Sequence, residues 1–151
     1  MSELRELYQE VILDHNRRPR NQGVLDERTG FSEGYNPLCG DRVNVYVREK
    51  NGVVEDIKFV GSGCAISQAS ASLMTECVKG KTKEEAKHIF EEFQKLVTSD
   101  PSLEPQIEEE AESLLPLAGV REFPARVKCA SLAWHTLRAA LHGDREPVKT
   151  E

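Results

Sequence analysis

Hydrophobic positions change their period several times along the chain, and each change marks an element. Over Leu4 to His15 the apolar residues fall at Leu4, Leu7, Tyr8, Val11 and Ile12, the three-and-four spacing of a helix with one apolar stripe. Arg18-Pro19-Arg20-Asn21-Gln22-Gly23 ends it, because proline and glycine both stop helices. Phe31 to Tyr35 reads as a short strand. Val43, Val45 and Val47 then alternate with Asn44, Tyr46 and Arg48, the period of a half-buried strand. Asn51-Gly52 is a hairpin turn, and Val53 to Val60 returns as its partner. The period changes back after Gly61-Ser62-Gly63. Cys64 to Lys79 reads as a helix of small residues closing at Gly80, and Thr82 caps a second helix to about Val97, with Glu84 and Glu85 in its first turn. Ser99-Asp100-Pro101 breaks it. Gln106 to Leu115 reads as a short acidic helix, and Phe123-Pro124-Ala125 opens a last helix that stops near His142 and Gly143. These elements predict one α+β domain over residues 1–151: a small antiparallel sheet of about three strands with helices packed on one face.

Bulk properties narrow the function. At 151 residues the chain is long enough to bury a core without disulfides. The net charge is −6, so neither nucleic acid nor an anionic membrane is an expected partner. The acid excess gathers in Glu104, Glu108, Glu109, Glu110 and Glu112, while Arg17, Arg18 and Arg20 form a basic cluster. The first residues lack the basic-then-apolar pattern of a signal peptide, and no stretch is apolar enough to span a bilayer. A cytoplasmic location is the expectation, and there the four cysteines read as metal ligands or reactive thiols before disulfides. P-loop, dinucleotide-binding, nucleophile-elbow, HExxH and CxxC patterns are all missing.

Three cysteines and one aspartate stand out. Cys39-Gly40-Asp41 lies in a turn before a strand. Cys64 follows Gly61-Ser62-Gly63 and opens a helix, where the dipole favours a thiolate. Cys129 follows Arg126 and Lys128, whose charges also favour ionisation. Three thiolates and a carboxylate on separate elements can converge on one soft or borderline cation, zinc among them. The complex would carry a net charge of about −2, for which Arg126 or Arg42 could serve as counterion. Spacing alone, 24 residues between the first pair and 64 between the second, matches no zinc module, and each cysteine could equally be a small core residue. Cys77 lies thirteen residues along the helix from Cys64, about 20 Å away, too far to share an ion. His135 fails likewise, about 9 Å along its helix from Cys129. His88 and His142 read as helix surface. His15, beside Asp14 and the arginines, is a candidate for partner contact.

Several segments together resemble the U-type iron–sulfur cluster assembly family, the SufU, IscU and NifU N-terminal proteins. They include Val11-Ile12-Leu13-Asp14-His15, Asn36-Pro37-Leu38-Cys39-Gly40-Asp41, Gly63-Cys64-Ala65-Ile66-Ser67 and Lys128-Cys129-Ala130 with Leu132-Ala133-Trp134. Three features look like the SufU type. Lys128 stands where the IscU type has histidine, the chaperone-recognition run is reduced to Phe123-Pro124-Ala125-Arg126-Val127-Lys128, and extra sequence spans roughly Ser99 to Glu112. The resemblance implies a zinc ion held by Cys39, Asp41, Cys64 and Cys129. It further implies acceptance of persulfide sulfur from a SufS-type, pyridoxal-phosphate-dependent cysteine desulfurase, a histidine of which displaces one cysteine from the metal, and relay to downstream iron–sulfur assembly proteins. Cys39, on a loop beside Gly40, is the expected acceptor, with Arg126 steadying the site or the docking face. The alternative is a scaffold holding iron or a [2Fe–2S] cluster on the same ligands.

Overall fold

The computed structural model describes residues 2–143 and 146–150. In chain order the elements are α1 (Ser2–Arg17), β1 (Gly30–Asn36), β2 (Asp41–Lys50), β3 (Val53–Ser62), α2 (Ala65–Val78), α3 (Lys83–Thr98), a run of 3₁₀ turns (Glu109–Glu122), α4 (Pro124–His142) and β4 (Val148–Lys149). The sheet has four strands in the order β3-β2-β1-β4, one more than the alternation predicts. The additional strand is two residues long and runs parallel to β1, pairing Gly34 with Val148 and Tyr35 with Lys149. Strands β1, β2 and β3 form an antiparallel meander, and the β2–β3 turn places Asn51 and Gly52 at φ 56 and 78, the left-handed pair such a tight hairpin requires.

One sheet face carries the core. Val43, Val45, Val47, Ile57 and Phe59 are all essentially inaccessible and pack against Leu132, Trp134 and the small residues of α2. On the opposite face Phe31 and Tyr46 lie with ring centroids 5.0 Å apart, and the Arg28 guanidinium sits over both rings. Tyr46 is thereby buried, although the strand alternation assigns it to the outside.

Two helices that reach the cysteines are locked together by polar atoms. Helix α2 buries Ser67, Ser70 and Ser72 among its alanines. Ser70 Oγ donates to the Ala130 carbonyl at 2.6 Å and accepts from Trp134 Nε1 at 3.1 Å. Trp134 stacks on Phe93 at 4.6 Å. The Ser70 and Ser72 hydroxyls both have partners, so these serines enter the core without the cost of an unmade bond. On the other side of α2, His15 Nδ1 lies 2.7 Å from Ser72 Oγ, and burial lowers the imidazole's pKa, with Arg20 adding to the effect. His15, the residue expected at a partner contact, is only 6% exposed and joins α1 to α2. Of the expected α1 stripe, Ile12 enters the core while Leu7 stays exposed, and Leu4's side chain lies outside the described residues.

The segment expected as an acidic helix from Gln106 to Leu115 is instead a later, tighter run. Pro116 sits inside it, where a missing N–H and a ring clash disfavour α-helix. Leu114, Leu117 and Val120 anchor the run in the core. Its leading edge is clamped to α3, where His88 Nε2 lies 2.8 Å from Glu108 Oε2 and the Glu108 amide donates to the buried Glu92 carboxylate at 3.1 Å. The Glu108 hydrogen bond raises the His88 pKa and, reciprocally, lowers that of Glu108. The histidine's share of the clamp is therefore complete below about pH 6.5 and lost as pH rises through its raised value. The glutamate's share fails only in acid. At about pH 6 the His88→Gln variant should exchange its Glu108 amide hydrogen faster than the wild type, and the two rates should converge in mild alkali. Equal rates at the lower pH would exclude the clamp.

Candidate metal centre

The three cysteines and the aspartate come from three separate pieces of backbone that the fold brings to one end of the sheet. Residues 37–40 form the loop between β1 and β2, because Asn36 and Asp41 are register partners. Within it the Gly40 amide donates to the Asn36 carbonyl at 2.8 Å, and the Leu38 amide to Asn36 Oδ1 at 3.1 Å. This asparagine-closed turn pushes Leu38 and Cys39 outward, Leu38 being 73% exposed. Asp41 opens β2 and is fully buried. Cys64 is the N-cap of α2, its sulfur accepting from the Ser67 amide at 3.4 Å. Cys129 lies in the second turn of α4, fully buried.

Contacts among them are close. Cys39 Sγ and Cys129 Sγ are 3.3 Å apart. The Cys64 amide donates to Asp41 Oδ1 at 2.8 Å, and its thiol lies 3.8 Å from Asp41 Oδ2. Ligand atoms of Cys39, Asp41 and Cys129 all fall within 4.8 Å of one another; Cys64 joins them through Asp41. Gly63 makes the junction possible. Its φ is 137°, and a Cβ there would collide with the Asp41 carboxylate and lie 2.8 Å from the Asp41 Cα.

The electrostatics call for a cation. Burial, then hydrogen bonds with Cys39 and Asp41, then the charges of Cys64 and Asp41, push the Cys129 thiol well above the usual thiol range. Arg126 is the cation that faces this group, bonding Cys129 and lying near Cys64 and Cys39. Two sulfurs and a carboxylate within 4.8 Å of one another, with the Cys64 sulfur 3.8 Å from the same carboxylate, are a donor set of the kind that holds zinc or an iron–sulfur group, so the residues present fit such a group. A bound dication would remove the penalty that holds Cys129 protonated.

The other expected residues fall elsewhere. Arg42, expected as a counterion, follows the buried Asp41 on β2 and is exposed, so strand alternation turns it to the opposite face. Lys128 lines a groove with Gln94, Thr98, Ser131, His135 and Thr150, away from the thiols, and its carbonyl accepts from Thr150 Oγ1 at 3.4 Å. His135 lies edge-on to Phe90 at 5.3 Å. Cys77 is buried against Ser113, and burial raises its thiol pKa. Asn36 is a residue whose role sequence reading missed. Besides closing the Cys39 turn, its Nδ2 donates to Cys129 Sγ at 3.8 Å. The available signal was an Asx residue three positions before a cysteine in a Pro- and Gly-containing turn.

Comparison with known proteins decides the family. Residues 7–145 match the model of the NifU-like N-terminal domain. The chain belongs to that family. Among NifU-like relatives, the iron–sulfur cluster assembly scaffold protein IscU of Streptococcus pyogenes is 42% identical over 141 residues, covering 93% of this chain and 86% of the relative. The zinc-dependent sulfurtransferase SufU of Bacillus subtilis is also 42% identical, over 134 residues, with 87% and 86% covered. A solved structure of a candidate SUF-system scaffold protein from Fervidobacterium islandicum superposes with a TM-score of 0.76 at 34% identity, covering 87% of this chain and 94% of that one. The NifU-like fold thus accounts for the α+β arrangement. No helix among the described residues is long and apolar enough to cross a membrane.

Proposed function

We propose that this protein accepts persulfide sulfur from a SufS-type cysteine desulfurase and relays it to iron–sulfur cluster assembly in the cytoplasm, acting as one domain over residues 1–151. Cys39, Asp41, Cys64 and Cys129 would hold zinc. The observation that carries the reading is the position of Cys39: its sulfur touches the buried Cys129, yet the residue is exposed. A thiol so placed belongs to the metal set and also faces an incoming partner. When bound, zinc supplies a positive charge that keeps the ligand thiols ionised at neutral pH.

The remaining steps belong to the protein's own residues. Exposed Leu38, next to Cys39 in the loop, offers the desulfurase apolar contact. The Cys39 thiolate attacks the outer sulfur of the enzyme's cysteine persulfide. A new S–S bond forms on Cys39, the enzyme's S–S bond breaks, and its cysteine leaves as thiolate. Thiolate fraction and access govern that exchange. Arg126 balances negative charge during the transfer, and Asp41, which cannot carry sulfur, remains in place.

The test is alanine release by a SufS-type desulfurase on titration with the zinc-loaded chain. Saturable stimulation is expected, and Cys39→Ala should reduce it to the desulfurase's basal rate without unfolding the protein, because the residue is exposed. Full stimulation by that variant would exclude Cys39 as acceptor. The relatives described as scaffolds support a second reading, in which the same donors build a [2Fe–2S] cluster. A brown protein with visible absorption that leaves alanine release unchanged would favour it.

A further inference from the structure

We infer that Asn36 is a positioning residue of the sulfur-accepting site, a two-ended brace between the Cys39 loop and the Cys129 sulfur; the inference deepens the metal and acceptor reading above and rests on it. Asn36 is the last residue of β1 and 1% exposed. A buried side-chain amide offers two donors and an acceptor, and a group left without a partner is destabilising. Here Oδ1 accepts from the Leu38 amide at 3.1 Å, Nδ2 donates to Cys129 Sγ at 3.8 Å, and the backbone carbonyl accepts from the Gly40 amide at 2.8 Å. One residue thus holds both neighbours of Cys39 and reaches the sulfur that Cys39 touches.

Two consequences follow from that arrangement. The loop backbone on either side of Cys39 is tied to β1, so the acceptor can turn toward a partner by rotating its side chain while the loop stays put. The donor end gives the Cys129 sulfur a hydrogen bond from a buried amide fixed at the end of β1. When the Cys39 sulfur turns away, Cys129 keeps the Asn36 N–H as a partner.

The two ends can be separated by substitution. Asn36→Asp retains an acceptor for Leu38 but presents a carboxylate oxygen to the Cys129 sulfur; Asn36→Ala removes both bonds. In zinc competition against a chromophoric chelator, Asn36→Asp should bind at least about tenfold more weakly, a change of 1.4 kcal/mol, and its cobalt(II) form should show a weakened thiolate charge-transfer band. In metal-free protein, iodoacetamide should alkylate Cys39 several-fold faster than in the wild type in Asn36→Ala, whose loop is released, and at about the wild-type rate in Asn36→Asp, which keeps an acceptor for the Leu38 amide. Mere loss of stability would speed alkylation in both variants rather than in Asn36→Ala alone. Wild-type zinc affinity and cobalt spectrum in Asn36→Asp would overturn the donor end. Unchanged Cys39 alkylation in Asn36→Ala would overturn the loop end. If the wild-type chain binds neither metal, the metal reading fails while the alkylation comparison still decides the brace.

Discussion

Zinc is expected to raise the melting temperature of this protein by about 10 °C when free metal is about a thousandfold above its dissociation constant. Binding to the native state alone at that ratio adds about 4 kcal/mol, and a chain of this size gains about 2–4 °C per kcal/mol. The physical source is the crowding of Asp41 and Cys129, both fully buried, with two further thiols and one facing arginine. Calorimetry before and after a chelator would measure the change, and a melting temperature indifferent to zinc would refute it. The pH dependence should differ between the two forms. Cys129 in the metal-free fold has a raised pKa, so it keeps its proton while the unfolded chain loses one above about pH 8.5. The native state then binds more protons, and metal-free stability falls as pH rises through that range. Ionised ligands on a cation contribute no such loss, so the zinc-induced shift should widen in mild alkali and shrink in acid, where protons compete for the sulfurs.

Gly63→Ala should be the most damaging single-methyl substitution at the site. At φ 137° a side chain is strained by about 1–3 kcal/mol, and the added carbon meets the Asp41 carboxylate and backbone, with overpacking worth about 1–3 kcal/mol more. Relief requires Asp41 to move. That breaks its bond to the Cys64 amide and separates two members of the donor set, so zinc affinity should fall by at least about tenfold along with stability. Gly40→Ala is the control. Gly40 also has positive φ, at 74°, but a Cβ there meets nothing within 4 Å, so it should cost about 1–2 kcal/mol and leave zinc affinity near wild type. Equal effects of the two substitutions would show that backbone strain alone, and not displacement of Asp41, is responsible.

Much of this arrangement was legible in the chain. The Val43–Val45–Val47 alternation, the Asn51-Gly52 turn and the Thr82 cap each produced the element they predict, because local preference and core burial agree there. Sequence reading failed where tertiary contact decides. Strand β4 is too short to leave a pattern and forms only because β1 offers a free edge. The acidic stretch was placed too early because its charges suggest a helix start, while Pro116 and the buried Leu114 and Leu117 dictate tighter turns. Tyr46 looked solvent-facing until Phe31 and Arg28 covered it. At the site, chemistry was visible in Cys39, Asp41, Cys64 and Cys129. Orientation was not: Arg42 and Lys128 adjoin ligands in sequence, but strand alternation and helical rotation carry them to other surfaces. Asn36 went unnoticed because a single asparagine before a proline reads first as a turn former.

The 3.3 Å between the Cys39 and Cys129 sulfurs bears on how the protein ages. A disulfide needs only about 2.05 Å, so removal of two electrons and two protons by an oxidant could join this pair with little backbone movement. Such a bond would consume the outward-facing thiol and one inner ligand together. A cation held between them would therefore also be a preservative, and the fraction of chains lacking it would set how quickly a stored or stressed population turns inert.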